Sequence, residues 1–315
     1  MISYLDFEKP IAELQTRIAE LRETADGGPA NLDAEIRKLE LKADRLLRDT
    51  YGKLTPWQKT QVARHQQRPH FKDYVARLVD DFLPLSGDRA FSDDQAIIGG
   101  FGRMNGRRVM VIGHEKGNDT ASRLKHNFGM GKPEGYRKAV RLMQLADRFG
   151  IAVVTIVDTA GAFPGIEAEE RGQAEAIARS TQATLELTVP VVAAIVGEGG
   201  SGGAVGLAAA NRVLMFEHAI YSVITPEGCA SILWRTAEKA PEAAEAMRIT
   251  AEDVHRLGII DTVVPEPVGG AHRSPETAID TLGKAICAAL DELSSMDGKA
   301  LRADRRRKFL AMGAS

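Results

Sequence analysis

A glycine-rich segment between two apolar runs constrains the fold of this chain more than any other feature. Residues 189–196 are almost continuously apolar and rich in valine, a pattern typical of a strand buried on both faces of a parallel sheet. Five glycines follow within residues 197–203, and they predict a turn. Residues 204–210 are then predicted to form a buried helix, and residues 213–216 the next strand. The expected unit is a strand, a glycine turn, a helix and a second strand.

Such a turn presents backbone amides at the start of a helix, where they have no intrahelical acceptor. The helix dipole adds a partial positive charge at the same place, so the turn should bind an anion or stabilise one that develops during a reaction. One interpretation is an oxyanion hole formed by the backbone amides of Gly202 and Gly203, which needs glycine and no particular side chain. The non-catalytic alternative is close helix packing through Gly202 and Gly206.

A dinucleotide site is a second interpretation of the same turn. Gly197, Gly199 and Gly202 match the G-x-G-x-x-G fingerprint, and Glu217 follows where a ribose-binding acid would be needed. Against this interpretation, the predicted helix is short for a crossover of this type, and little of the chain remains after the motif.

A serine nucleophile is the third interpretation. Gly199, Ser201 and Gly203 match the G-x-S-x-G elbow that joins a strand to a helix in serine hydrolases. Glycine-rich turns often contain serine, so the match alone is weak. Partners that follow in the hydrolase order are Asp253 or Asp261, and then His272.

Composition limits the class of protein. The chain has 315 residues, of which 44% are hydrophobic and 27% charged, as in soluble globular proteins. A net charge of −2 gives no reason to expect a nucleic acid or an anionic membrane as partner. No apolar run is long enough to span a bilayer, and no signal peptide is recognisable. Two cysteines, Cys229 and Cys287, make neither a disulfide framework nor a zinc site, so we expect a cytoplasmic protein without a metal.

The order of predicted elements separates a helical arm from one larger domain. Residues 7–24 and 32–50 carry apolar stripes at helical spacing and are broken by residues 26–29, which predicts a helical hairpin within an arm of residues 1–54. Asn105-Gly106 between apolar runs predicts a β-hairpin. Residues 151–157 predict a second buried strand, followed by a second glycine turn at 158–165 and a long helix to about residue 187. We therefore expect an α/β domain over residues 55–315 with a parallel sheet and right-handed crossovers.

Several short motifs spread along nearly the whole chain are together highly specific. They are residues 4–8 (YLDFE), 129–130 (GM), 133–138 (PEGYRK), 169–173 (EERGQ), the glycine turn at 197–203, Ser222, 225–234 (TPEGCASILW), 265–267 (PEP) and 269–273 (GGAHR). On these motifs the chain resembles the family of bacterial acetyl-coenzyme A carboxylase carboxyltransferase α subunits. The resemblance implies a crotonase-like spiral of strand–turn–helix repeats. Ala160 departs from the proline that is usual in this family.

The resemblance also implies a reaction. The family transfers the carboxyl group of carboxybiotin, held on a carrier protein, to acetyl-coenzyme A and forms malonyl-coenzyme A for fatty acid synthesis. Each oxyanion of such a transfer needs fixed donors. By resemblance, the Gly202 and Gly203 amides form the hole on the biotin side. We expect substrate contacts from Gly199 and Gly200 and from three residues of the second glycine turn, Gly161, Ala162 and Phe163.

The expected partners follow from the same resemblance. A zinc-containing carboxyltransferase β subunit would hold the second oxyanion hole and most contacts to the coenzyme A thioester. The other components would be the biotin carboxyl carrier protein and the biotin carboxylase. The implied assembly is α2β2, and the chain alone is expected to be inactive.

Overall fold

One mixed sheet organises the fold in a computed structural model that describes residues 3–25 and 31–313. Its described strands are β1 (Asp80–Pro84), β2 (Ile97–Met104), β3 (Arg107–His114), β4 (Ala152–Thr159), β5 (Val191–Gly200), β6 (Arg212–Phe216), β7 (Ile220–Ser222) and β8 (Thr262–Val264). The order is β1-β2-β3-β4-β5-β6-β8, and β7 pairs with the far end of β5. The pairs β1/β2 and β2/β3 are antiparallel, whereas the others are parallel. The predicted α/β class with a parallel sheet is confirmed.

Helices connect and cover these strands. The described helices are α1 (Lys9–Ala25), α2 (Asn31–Tyr51), α3 (Pro56–Ala63), α4 (Phe71–Leu78), α5 (Thr120–Lys125), α6 (Pro133–Arg148), α7 (Ile166–Glu170), α8 (Gln173–Glu186), α9 (Ser201–Ala208), α10 (Pro226–Trp234), α11 (Ala240–Met247), α12 (Ala251–Arg256), α13 (Pro275–Leu293) and α14 (Gly298–Ala311). Helices α6, α8 and α9 pack on one another, while α13 packs on α4 and on β5 and β6. No helix in the described ranges is both long and apolar enough to cross a bilayer.

The two central strands are the most buried part of the sheet. All residues of β4 and β5 are buried, as the apolar runs in the sequence predict for strands that are covered on both faces. The predicted β-hairpin is also confirmed, since Met104 pairs with Arg107 across Asn105-Gly106. Both turn residues have positive φ, 49° and 76°, as a two-residue hairpin turn requires.

The N-terminal helices form a hairpin with an apolar seam. Ile18 on α1 and Ile36 and Ala43 on α2 are its buried members, so the two predicted helices are confirmed, while the predicted break at residues 26–29 lies outside the described residues. The hairpin is anchored through Glu8, which is fully buried and accepts hydrogen bonds from Arg273 Nη2 at 2.6 Å and Tyr51 Oη at 3.0 Å. The division of the chain at residue 54 stays a prediction.

One predicted helix is divided in two. Helix α6 begins at Pro133, because proline suits the first position of a helix. The long helix expected after the second glycine turn is two helices, α7 and α8, since Gly172 adopts a left-handed conformation with φ of 79° and interrupts it.

Candidate active site

The first four residues of the glycine segment belong to a strand and the last three to a helix, so the predicted turn is not present. Strand β5 continues to Gly200, and α9 begins at Ser201 with no loop between them. Gly199 pairs with Thr159 on one side and with Tyr221 on the other, so the ladder holds this stretch extended. The glycines are needed for close approach, because a Cβ added at Gly200 would lie 2.1 Å from the carbonyl oxygen of Ala160.

The start of α9 presents the two predicted oxyanion donors. Gly202 and Gly203 occupy the second and third positions of the helix, where backbone amides have no intrahelical acceptor. In the described part of the chain, neither amide donates to a backbone acceptor outside the helix. A Cβ added at Gly203 would lie 2.6 Å from the carbonyl carbon of Gly161 and 2.8 Å from the nitrogen of Ala162. The second glycine turn therefore packs directly against Gly203, whereas the nearest neighbour of a Cβ at Gly202 would be the Ile177 side chain at 3.5 Å.

The predicted substrate residues occupy different positions around this contact. A Cβ added at Gly161 would meet nothing within 4 Å, so the turn has an open face there. The Phe163 amide donates to the Gly131 carbonyl at 3.0 Å, and the Lys132 ammonium lies 4.8 Å from the centre of its ring. Gly199 and Gly200 are buried in β5. The site thus brings Gly161 and Ala162 against Gly203, with Gly199 and Gly200 beneath them in the sheet.

A serine hydrolase triad is not assembled. Ser201 has the positive φ of 51° that a nucleophile elbow would show. However, both ring nitrogens of His272 lack a hydrogen-bond partner in the described residues, and the ring stacks on His65 at 3.8 Å. Burial, followed by the charge of His65, lowers the pKa of His272 to about 3. The predicted acids have other partners: Asp253 pairs with Arg256, and Asp261 pairs with Lys308.

The dinucleotide interpretation also fails. The Glu217 carboxylate accepts the backbone amide of Glu266 at 3.2 Å, so it has a structural partner within the chain. Helix α9 has only eight residues. Within the ranges that the structure describes, no group of three or more histidine, cysteine, aspartate or glutamate side chains is placed to hold a metal ion.

A buried cluster of charges lies beside the glycine segment at the carboxyl ends of the strands. Lys116, just after β3, donates to Asp158 Oδ1 at 2.7 Å and to Glu198 Oε2 at 2.9 Å. The other oxygen of Glu198 accepts Arg64 Nε at 2.7 Å. Burial alone would raise the pKa of Glu198, but Lys116 and Arg64 outweigh it and hold the pKa at about 2. The carboxylate is therefore charged throughout the physiological range.

Sequence reasoning missed this cluster. Lys116 is not a surface lysine, since its side chain is only 17% exposed and pairs with two carboxylates. Lys116, Asp158 and Glu198 each follow a predicted strand, and the carboxyl ends of parallel strands meet at one edge of a sheet. That rule was the available signal. A cavity of about 250 Å³ lies against the cluster, and Arg64, Lys116, Arg123, Asp158 and Glu198 are among its lining residues.

A second ion pair holds the neighbouring segment. Arg68 donates to both carboxylate oxygens of Glu266, at 2.8 and 2.9 Å, and both side chains are buried. Arg68 Nη2 also donates to the carbonyl of Val196 at 2.7 Å. The segment after α3 is thereby fixed to β5 just before the glycine stretch.

Comparison with known proteins identifies the family. The model of the family described as acetyl co-enzyme A carboxylase carboxyltransferase-like matches residues 4–313. The chain belongs to this family. The acetyl-coenzyme A carboxylase carboxyl transferase subunit alpha of Rhizorhabdus wittichii is 72% identical over 313 residues, which are 99% of this chain and 100% of that protein. The protein of the same name from Zymomonas mobilis is 68% identical, again over 99% of this chain and 100% of its own length. The predicted function, a carboxyltransferase α subunit of acetyl-coenzyme A carboxylase, is confirmed.

Solved structures confirm the crotonase-like carboxyltransferase fold. Transcarboxylase 12S superposes with a TM-score of 0.59 at 22% identity, covering 72% of this chain and 42% of that chain. The β subunit of geranyl-CoA carboxylase from P. aeruginosa superposes with a TM-score of 0.56 at 17% identity, covering 79% of this chain and 46% of that chain. The chain thus spans less than half the length of either of these two solved chains. At such identities the likeness shows the fold alone.

Proposed function

We propose that this carboxyltransferase subunit transfers the carboxyl group of carboxybiotin on a carrier protein to acetyl-coenzyme A, and that the reaction takes place at the start of α9. One observation supports the site. Gly203, in the first turn of α9 next to Gly202, packs against the Gly161–Ala162 peptide beside an open glycine face. Glycine has no side chain, so a flat ureido ring can approach the backbone closely there.

The chemistry requires fixed donors more than a side-chain base. Carboxybiotin supplies an activated carboxyl group, and negative charge moves to the ureido oxygen when its carbon–nitrogen bond breaks. The Gly202 and Gly203 amides stabilise that charge without reorganising, because a helix start that is packed against the sheet already holds them in place. The proton that leaves the methyl group of the thioester goes to the ureido nitrogen. The methyl carbon forms a bond to the carboxyl carbon, which gives malonyl-coenzyme A.

The remaining parts belong to partner chains. Relatives of this chain are named as alpha subunits of a carboxylase, which supports a second carboxyltransferase subunit as partner. We propose that a β subunit supplies the donors for the thioester oxygen and most coenzyme A contacts, within an α2β2 assembly. The carrier protein and the biotin carboxylase complete the carboxylase.

The test is the malonyl-coenzyme A-dependent carboxylation of a free biotin derivative. It is run with this chain alone, with a candidate β subunit alone and with both. We expect turnover only when both are present. Turnover by this chain alone would contradict the shared site. No turnover in any mixture, together with labelling of Ser201 by a fluorophosphonate, would favour the hydrolase interpretation.

A further inference from the structure

One charged side chain anchors the strand end from which the proposed donors project. The last four residues of β5 are Gly197, Glu198, Gly199 and Gly200, so Glu198 alone carries a side chain there. Glycine has the greatest backbone freedom of any residue, and this stretch needs external contacts to stay in one conformation. Glu198 is therefore the one position at which side-chain bonds can fix this end of the strand.

Glu198 is held at three points. Its two carboxylate oxygens accept Lys116 Nζ at 2.9 Å and Arg64 Nε at 2.7 Å. Its backbone amide donates to Asp158 Oδ1 at 2.8 Å, and Lys116 also binds that oxygen. Gly197 makes this possible, because a Cβ there would lie 2.4 Å from Asp158 Oδ1. The ends of β3, β4 and β5 are thus joined by one set of charges.

Arg64 connects this group of charges to helix α10. Arg64 donates through Nη1 and Nη2 to the two carboxylate oxygens of Glu227, in the first turn of α10, and Nη2 lies 3.3 Å from Oε2. The Glu198 side chain is only 9% exposed, whereas Glu227 is 37% exposed. Buried ion pairs seldom stabilise a fold more than apolar packing of the same volume would. Stability alone therefore does not account for a buried charge cluster at this end of the sheet.

We propose that Glu198, held by Lys116 and Arg64, is a positioning residue for carboxyl transfer. It fixes the end of β5 so that the Gly202 and Gly203 amides face the developing oxyanion. This inference rests on the proposed function. Glu198 touches no reacting atom in this scheme, and its effect is on the geometry of donors that are used in the transition state.

The test compares Glu198→Gln with the parent chain in the complex with a β subunit, using the biotin carboxylation assay. The glutamine NH₂ group cannot accept a hydrogen bond, so one cation loses its partner. We expect kcat to fall roughly 10- to 100-fold, since misplacing a catalytic group by about 1 Å has a cost of this order. KM for the biotin derivative should stay within about 3-fold, because the lost interaction serves the transition state.

Two further variants separate positioning from stability. Asp304→Asn is the matched control: Asp304 pairs with Arg212 at 3.1 Å at the opposite end of the sheet, so its loss should lower the melting temperature without changing kcat. Lys116→Met should lower kcat as Glu198→Gln does. The double variant should be no slower than the slower single variant, because the two residues act as one unit. Lys116→Arg, which keeps the charge, should retain most of the activity.

The outcomes are distinct. If Gly203→Ala lowers kcat and Glu198→Gln does not, the positioning role is wrong while the proposed site stands. If both leave kcat unchanged, the proposed site itself is wrong. If Glu198→Gln does not fold, Arg64→Lys is decisive, because lysine cannot bridge Glu198 and Glu227 as the guanidinium does. An unchanged kcat in that variant overturns the inference.

Discussion

Replacing Gly203 with alanine tests the proposed donors most directly. The added Cβ would lie 2.6 Å from the carbonyl carbon of Gly161 and 2.8 Å from the Ala162 nitrogen, whereas ordinary contacts begin at 3.4 Å. Both neighbours are backbone atoms and cannot rotate away. The start of α9 must therefore shift by ~0.8 Å, close to the displacement of about 1 Å that costs roughly 100-fold in rate. This loss corresponds to about 2.7 kcal/mol of transition-state stabilisation.

The assay is biotin carboxylation with the β subunit at saturating malonyl-coenzyme A, reported as kcat per folded α subunit. Gly283→Ala is the control for crowding, since its Cβ would also lie 2.6 Å from a neighbour, Leu78 Cδ2, but on α13. That variant should change stability and leave kcat unaltered. Gly202→Ala should lose less activity than Gly203→Ala, because its Cβ would meet Ile177 at an ordinary 3.5 Å. A Gly203→Ala enzyme with near-normal kcat would refute the reasoning.

Three further outcomes are expected. Ser201→Ala should keep most of the activity and remain unlabelled by fluorophosphonates, and a loss of activity with intact folding would contradict this. Glu266→Gln should destabilise the chain by roughly 3–5 kcal/mol in denaturant unfolding, because it leaves Arg68 buried without a full counter-charge. Acid should unfold the parent chain progressively: Glu198 and Glu266 each have a pKa of about 2 against an ordinary 4.5, so their contribution is complete above about pH 4.5 and lost as the pH falls towards 2. Glu266→Gln should flatten that pH dependence, which circular dichroism would detect.

Local patterns predicted much of the fold. The apolar runs of β4 and β5 and the Asn105-Gly106 turn each depend on contacts close in sequence or on burial of a whole strand. Thr55 is an ordinary helix cap that precedes α3, and its hydroxyl accepts the Gln58 amide at 3.2 Å. Such features need little knowledge of the tertiary structure, which explains why they could be predicted.

Other features depended on residues far apart in the chain. The glycine stretch was predicted to be a turn because glycine usually marks one. Its first four residues are extended because Thr159 and Tyr221 pair with Gly199 from either side, and neither pairing is visible in a local window. The contacts of Lys116 could not be predicted for the same reason, since its partners Asp158 and Glu198 lie on other strands.

The extended conformation of residues 197–200 explains how the proposed site can hold its donors in place. A loop of five glycines would leave the amides of α9 free to move, and donors that reorganise during a reaction stabilise its charge poorly. In a strand that is paired on both edges, Gly197, Gly199 and Gly200 are held extended by the ladder, and Gly200 allows the Ala160 carbonyl to approach closely. Glu198 then adds the side-chain bonds that glycine cannot supply. A start of α9 that is both open to substrate and rigid therefore depends on the sheet and on the charge cluster together.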